Sequence, residues 1–260
     1  MSRIVQLAAT EQGAGSPVLV LHGLFGSARN WATIARRLAE RHRVFALDLR
    51  NHGASPWTET MSYPEMAADA RAFIKGRGLG PVAIVGHSMG GKVAMVLALE
   101  SPALVERLVV VDIAPVYYPP VLLSYIEAMR AIDLERTTRR ADVDAALAAA
   151  VPEEGIRQFL LQNLVHEGGG LRWRLNLATL AVSMPAISEF PEPPEGTVYD
   201  GPTLFIAGER SDYVQPAHRA AIRRLFPRAS LLKLRDAGHW IHAERPDAFV
   251  ATLLPFLEGG

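Results

Sequence analysis

The chain has 260 residues, of which 49% are hydrophobic and 21% charged, and its 27 basic and 27 acidic residues give a formal net charge of zero. These proportions are typical of a folded chain of one domain, or of one domain with an insertion. A balanced charge argues against binding to nucleic acid or anionic membranes. The absence of cysteine excludes disulfides, cysteine nucleophiles, iron–sulfur clusters and cysteine-based zinc sites.

The sequence contains no recognisable targeting or membrane segment. Its first ten residues carry one arginine and no long apolar core, so no secretory signal is predicted. The longest apolar runs have the length of a strand, well below the roughly 18 residues that span a bilayer. We therefore expect a cytoplasmic protein that acts on a small molecule, with no integral membrane segment, as a monomer or a homodimer.

Short apolar runs alternate with helical patterns over the first 115 residues. The apolar runs predict strands at Pro17–Leu21 and at residues 43–48, 80–86 and 107–112. Helical spacing predicts helices at residues 31–42, from the capping box at residues 62–65 to about Lys75, and at residues 92–100. Continuous apolar strands separated by helices predict a mostly parallel sheet that is covered by helices on both faces.

The same alternation returns near the C-terminus, after a different middle region. It predicts strands at residues 203–207 and 230–234, and helices at residues 218–226 and 246–257. The middle shows no strand-like run but three helix-rich stretches, at residues 141–150, 152–163 and 171–182, and a proline-rich link at residues 190–196. We therefore predict a core of residues 1–115 and 201–260, and a helical cap of residues 116–200 inserted before the penultimate strand.

The segment Gly86-His-Ser-Met-Gly-Gly91 follows a predicted strand and precedes a predicted helix. A G-x-S-x-G motif at such a junction forms a tight turn that raises the serine hydroxyl above the edge of the sheet. The free N–H groups at the start of the following helix can stabilise a developing oxyanion. We predict that Ser88 is a nucleophile and that the Met89 N–H is one oxyanion donor.

Two further segments complete the predicted site. The segment His22-Gly-Leu-Phe-Gly26 follows the first long strand. Enzymes with a G-x-S-x-G serine turn place a second oxyanion amide at this point, and we assign it to the Leu24 N–H. The alternative is that these glycines only make a turn. His239 follows the last strand and can accept the serine proton. His242 makes a His-x-x-His pair with it, but no metalloprotease pattern accompanies the pair, so no metal is predicted.

These motifs resemble those of the α/β-hydrolase superfamily from about residue 16 to 258, and more narrowly those of the small esterases of the bacterial YbfF and mammalian ABHD11-like group. The narrower likeness lies in His22-Gly-Leu-Phe-Gly26, Asp48-Leu-Arg-Asn-His-Gly53 with Ser55-Pro56, Gly86-His-Ser-Met-Gly-Gly-Lys92, Val111-Asp-Ile-Ala-Pro115, Arg172-Trp-Arg174 and Gly238-His-Trp-Ile-His-Ala243. The resemblance implies an α/β-hydrolase fold and serine carboxylesterase activity on short acyl esters, with acyl-CoA thioesters as further candidates. This chemistry needs no metal or organic cofactor.

A histidine base needs a carboxylate that holds its tautomer and stabilises the imidazolium. In the superfamily this acid usually lies three residues after the glycine that ends the strand at residues 203–207, and that position is Ser211 here. Asp212 follows one residue later. In the resembled group the acid lies after an earlier strand, where this chain has Asp112. We favour Asp112 and keep Asp212 as the alternative.

Substrate contacts are expected from side chains beside the motifs and in the cap. The candidates are Phe25, His87, Trp173, Met184 and Trp240. His87 is expected to pack or form a hydrogen bond rather than to act as a base. For Lys92, just after the nucleophile turn, we weigh contact with an anionic substrate against a structural ion pair and favour the ion pair.

Two other functions use the same sequence features. A cofactor-free perhydrolase or haloperoxidase-like enzyme would use the same Ser-His-Asp triad. A non-catalytic binding protein would keep the fold without the chemistry, although such proteins usually lose the serine or the histidine, and both are present here.

Overall fold

A seven-stranded sheet is the centre of the fold in the computed structural model, which describes residues 3–259. Its strands are β1 (Ala9–Gln12), β2 (Pro17–Leu21), β3 (Arg43–Leu47), β4 (Val82–His87), β5 (Val105–Val111), β8 (Thr203–Gly208) and β9 (Ala229–Leu234). Their order across the sheet is β1-β3-β2-β4-β5-β8-β9. All neighbouring strands are parallel except β1, which is antiparallel to β3.

Helices cover both faces of this sheet, as the apolar runs predict. The core helices are α1 (Ala32–Leu38), α2 (Tyr63–Gly76), α3 (Met89–Glu100), α8 (Arg219–Leu225), α9 (Ile241–Glu244) and α10 (Pro246–Glu258). Alternate residues of each strand point to opposite faces, so the buried side chains divide into two clusters. Helices α1 and α10 contribute to one cluster, and helices α2, α3 and α8 to the other. The predicted α/β-hydrolase architecture is confirmed.

The short strand β1 was not predicted. Its sequence, Ala-Thr-Glu-Gln, has no apolar run, and its four residues are only partly buried or exposed. It joins the sheet as an edge strand through pairing with β3, an interaction that local hydrophobicity does not reveal.

The region between β5 and β8 contains four helices and a hairpin. The helices are α4 (Leu123–Arg130), α5 (Arg140–Leu147), α6 (Glu154–Leu161) and α7 (Leu177–Ser188), and the hairpin strands are β6 (Leu164–Glu167) and β7 (Gly170–Trp173). The prediction that this region has no strand is therefore wrong. Each hairpin strand has only four residues, and the turn between them uses Gly168 and Gly169 at positive φ.

The hairpin also shortens the helix predicted at residues 171–182. Residues 171–173 belong to β7, and α7 begins only at Leu177, after Asn176, whose side chain accepts a hydrogen bond from the Thr179 N–H. The division into a core and a cap at residues 116–200 stays a prediction. Within residues 3–259, no helix is long and apolar enough to cross a membrane.

Candidate active site

Ser88 lies in the turn between β4 and α3, near the middle of the sheet. Its backbone has φ +51°, a strained value for a residue with a side chain. Glycines make this turn possible because the chain segments approach closely. A Cβ on Gly86 would lie 2.3 Å from the Gly90 carbonyl oxygen, and one on Gly90 would lie 2.4 Å from the Leu21 carbonyl oxygen.

His239 and Asp112 meet at the same edge of the sheet. The Nδ1 atom of His239 lies 2.7 Å from Oδ2 of Asp112. Because an ionised carboxylate only accepts, His239 donates through Nδ1–H and keeps Nε2 free to accept a proton. The His239 ring also stacks on Tyr213 at a centroid distance of 4.1 Å. A histidine that serves as a general base toward a serine needs this tautomer.

Asp112 is fully buried, and backbone and side-chain donors hold its carboxylate in place. Its Oδ1 accepts a 2.9 Å hydrogen bond from the Gly208 N–H, and its Oδ2 also accepts from the hydroxyl of Ser211. Ser211 lies three residues after Gly208, where the acid is usual in the superfamily, and its hydroxyl contacts Asp112. Asp212 is exposed and accepts a hydrogen bond from the Gln215 side chain.

The two predicted oxyanion donors lie beside Ser88. Met89 is the first residue of α3, where the backbone N–H has no partner within the helix. The residue before Leu24 is Gly23, whose backbone lies so close to His87 that a Cβ there would be 2.9 Å from the His87 Nδ1 atom. The neighbouring Phe25 has φ +63°, and its carbonyl accepts a 2.8 Å hydrogen bond from the side chain of Asn163.

Three buried histidines, His22, His87 and His242, line the site, and a fourth, His52, packs against His22. Burial lowers the pKa of His22 to about 4, and those of His52 and His242 to about 3. Burial also holds the pKa of His87 well below its usual value. All four are therefore neutral at pH 7. His87 donates from Nε2 to the His239 carbonyl at 2.8 Å, which agrees with the expectation that it forms a hydrogen bond.

A cavity of about 300 Å³ opens next to Ser88 and His239. Three of the predicted substrate contacts line it, namely Phe25, His87 and Trp240. Most of the other lining residues are apolar or aromatic and were not predicted; they include Trp31, Leu122, Tyr125, Ile156, Phe159 and Leu160. The spacing of the last three on α6 is that of one helix face, a signal that the sequence contains but that does not show where the helix packs.

A second cavity, of about 60 Å³, lies on another side of Ser88 and is lined by the predicted contact Met184. Trp173, by contrast, lines neither cavity, and this prediction is not supported. Its side chain is buried in the hydrophobic core, because it is an inward-facing position of β7. Lys92 also differs from prediction: it is buried and bonds to backbone carbonyls rather than to a carboxylate.

Comparison with known proteins identifies the family. The sequence model of the alpha/beta hydrolase fold family matches residues 16–246, so the chain belongs to the α/β-hydrolase fold family.

Its relatives define a narrower group. The sn-1-specific diacylglycerol lipase ABHD11 of Mus musculus is 46% identical over 248 residues, covering 92% of this chain and 80% of the mouse protein. The esterase YbfF of Escherichia coli is 36% identical over 250 residues, covering 96% of each. The solved structure of a marine microorganism esterase is 36% identical, with a TM-score of 0.94 over 97% of this chain and 100% of that one. The predicted resemblance to the YbfF and ABHD11 group is confirmed, and these names support hydrolase activity of the esterase type.

Proposed function

We propose that the chain is a serine carboxylesterase that cleaves short acyl esters, and acyl thioesters by the same chemistry. Ser88 is the nucleophile, His239 the general base and acid, and Asp112 the residue that orients His239. The observation that carries the proposal is the 2.7 Å contact between His239 Nδ1 and Asp112 Oδ2 beside Ser88, at one cavity. This arrangement supports acyl transfer through a covalent intermediate.

The reaction proceeds in two halves. His239 Nε2 takes the proton of the Ser88 hydroxyl as its oxygen attacks the ester carbonyl, and the N–H groups of Leu24 and Met89 stabilise the resulting oxyanion. The tetrahedral intermediate collapses, the C–O or C–S bond breaks, and His239 gives the proton to the departing alcohol or thiol. Water then enters, loses a proton to His239 and attacks the acyl-Ser88 ester; the C–O bond to Ser88 breaks, His239 returns the proton to the serine oxygen, and the acid is released.

The test is hydrolysis of p-nitrophenyl esters from acetate to palmitate by the wild type and by Ser88→Ala. We expect activity that falls with chain length and that is lost in the variant. Ser230→Ala is a matched control, because Ser230 is exposed on β9, far along the chain from the nucleophile turn. It should retain activity.

Labelling by a fluorophosphonate reports on Ser88 independently of substrate. An unlabelled wild type that cleaves no ester would contradict the proposal and favour a binding role. Product that depends on hydrogen peroxide would instead favour a perhydrolase.

A further inference from the structure

Two cavities meet at Ser88, and only one of them is lined by the proposed general acid. The larger contains His239 and Trp240, whereas the smaller contains Met89, Lys92 and neither of those two residues. The inference that follows rests on the proposed function, because it assigns the two halves of the substrate to these two cavities.

The position of His239 determines which half lies where. His239 must give its proton to the departing oxygen or sulfur, so the leaving group extends into the larger, mostly apolar cavity. The acyl chain is attached on the other side of the carbonyl carbon and extends into the smaller cavity. At about 10–15 Å³ for each water-sized group, a volume of about 60 Å³ holds roughly four to six non-hydrogen atoms. The acyl chain is therefore short.

Lys92 in the wall of the smaller cavity is a buried cation without a carboxylate partner. Its side chain is 1% exposed, and Nζ donates to the carbonyls of Ser188 at 3.1 Å and Glu189 at 2.8 Å. The ring faces of Tyr118 and Tyr63 lie 4.9 Å and 5.4 Å from Nζ. Among residues 3–259, no acidic side chain lies within ion-pair distance of it and no acceptor takes its third N–H.

The electrostatics agree with a missing negative charge. Burial lowers the pKa of Lys92 to about 7, and the exposed Glu189 offsets this only in part. Isolated buried charges are costly unless they are paired. A bound anion would supply the pairing that the chain lacks.

Ser188 provides a second and independent sign of a ligand. It is 5% exposed and lines the same cavity, and its hydroxyl has no hydrogen-bond partner. Buried hydroxyls without a partner are uncommon in native structures. The small cavity is thus lined by a hydroxyl that has no partner and by an ammonium with one N–H left over.

We propose that the smaller cavity binds a short acyl chain that ends in a carboxylate, so that monoesters of four-carbon dicarboxylic acids are preferred substrates. The carboxylate accepts hydrogen bonds from Lys92 Nζ and Ser188 Oγ, while the ester carbonyl lies at Ser88. Beyond its carbonyl carbon, a succinyl chain has five non-hydrogen atoms, which fits the volume of the cavity.

The test compares benzyl hydrogen succinate with benzyl 4-methylpentanoate, at pH 6.5. The two acyl chains have the same shape, but only the first ends in a carboxylate, and the benzyl group suits the apolar cavity. We expect kcat/KM of the wild type to favour the succinate ester by at least about 10-fold, since hydrogen bonds to charged groups contribute about that much or more. Lys92→Met should reduce this ratio by roughly 10- to 100-fold.

Thr179→Ala is the matched control for a Lys92 that only anchors α7. The Thr179 hydroxyl donates to the Thr58 carbonyl at 2.7 Å and so anchors α7 too, but Thr179 lines neither cavity. This variant should leave the ratio between the two esters as in the wild type. If Lys92→Met lowers the turnover of both esters alike, Lys92 only anchors α7, and the proposal is wrong.

The remaining outcomes are also decisive. If Lys92→Met fails to fold, Ser188→Ala provides the second test, and an unaltered ratio there contradicts the proposal. A wild type that prefers the neutral ester, or cleaves neither, also overturns it. Even then, cleavage of p-nitrophenyl acetate that is lost in Ser88→Ala would support the proposed esterase. Failure of the carboxylate site can thus be distinguished from failure of the proposed function.

Discussion

Asp112 shows how much of the site depends on single residues. It follows β5 and has φ +50°, and its carboxylate accepts hydrogen bonds from the Gly208 N–H, the Ser211 hydroxyl and His239. The bonds from Gly208 and Ser211 hold the carboxylate against His239. Asparagine at this position would keep the shape but could present an N–H to His239, which favours the wrong tautomer.

Replacing each candidate acid by asparagine tests this role. We expect Asp112→Asn to slow single-turnover acylation of Ser88 by roughly 10⁴-fold, by analogy with the triad acid of serine proteases. Asp212→Asn is the control, because the Asp212 side chain contacts Gln215 rather than His239, and it should lose little. Equal, small losses in both variants would exclude Asp112 from the mechanism.

At the scale of elements, a buried hydrogen bond joins the region before β6 to the loop after β2. Asn163 is buried between α6 and β6, and its side chain donates to the carbonyls of Phe25 at 2.8 Å and Leu160 at 3.2 Å. Phe25 follows Leu24, the proposed oxyanion donor. Asn163 is therefore a positioning residue for this donor, and it acts through the backbone.

Asn163→Ala should lower kcat by about 10- to 100-fold, because small displacements of catalytic groups have effects of this size, while KM changes less. Gln162→Ala is the control: it removes an exposed 2.6 Å hydrogen bond to Asn30 between the same two regions. We expect it to change kcat by less than about two-fold. A fall in KM and kcat of equal size in Asn163→Ala would speak against the positioning role.

A buried ion pair joins α2 to the loop after β3. Arg50 donates from Nε and Nη2 to the two carboxylate oxygens of Asp69, at 2.7 Å and 2.9 Å, and the Val5 N–H also donates to Asp69. Both side chains are almost fully buried. Asp69 therefore connects the N-terminal segment, the loop and the helix.

Asp69→Ala should lower the free energy of unfolding by about 3 kcal/mol, because it removes the bidentate partner of the buried Arg50 guanidinium and leaves it only the 3.1 Å contact with Glu65 as an ion pair. Asp247→Ala removes the equivalent bond from an exposed pair with Arg37, and we expect a loss below about 1 kcal/mol. Urea unfolding of both variants measures the difference. Similar losses in the two variants would contradict this account of Asp69.

At the scale of the whole molecule, five buried histidines, the four described above and His42, make stability depend on pH. Their pKa values in the folded protein lie below the ordinary value, so the unfolded chain binds more protons as the pH falls below about 6.5. Stability is therefore unaffected by these groups above that pH and is lost progressively from there down to about pH 3, where the folded-state pKa values of His52 and His242 lie. The loss is at most about 1.4 kcal/mol per histidine for each pH unit.

We therefore expect the urea midpoint of the wild type to fall steeply between pH 6.5 and pH 4.5. His242→Phe should make this dependence shallower by the contribution of one histidine, because it removes one buried group that titrates. Phenylalanine keeps the stacking on Trp31, and the Nδ1 atom that is lost has no hydrogen-bond partner. His166→Gln, at an exposed position of β6, should not alter the slope. An unchanged slope in His242→Phe would contradict the predicted contribution of buried histidines.

The fold could be predicted well from sequence where local patterns are strong. Apolar runs of strand length predict six of the seven strands in the sheet, and helical spacing predicts the main helices on its faces. No strand was predicted at β1, and the prediction that the middle region has no strand was wrong for the hairpin at residues 164–173. These are short strands with mixed polarity, and they form because a partner strand satisfies their backbone groups.

The sequence by itself determined the class of the site, because the turn around Ser88 and the loop from His22 to Gly26 are local: glycines at fixed spacing permit the close contacts there. Only the tertiary structure decided which aspartate contacts His239 and which side chains line the cavities. The two contacting residues are 127 positions apart, so no periodicity joins them. Lys92 makes the same point, since sequence favoured an ion pair, whereas the packing of α7 surrounds its ammonium with carbonyls and no carboxylate.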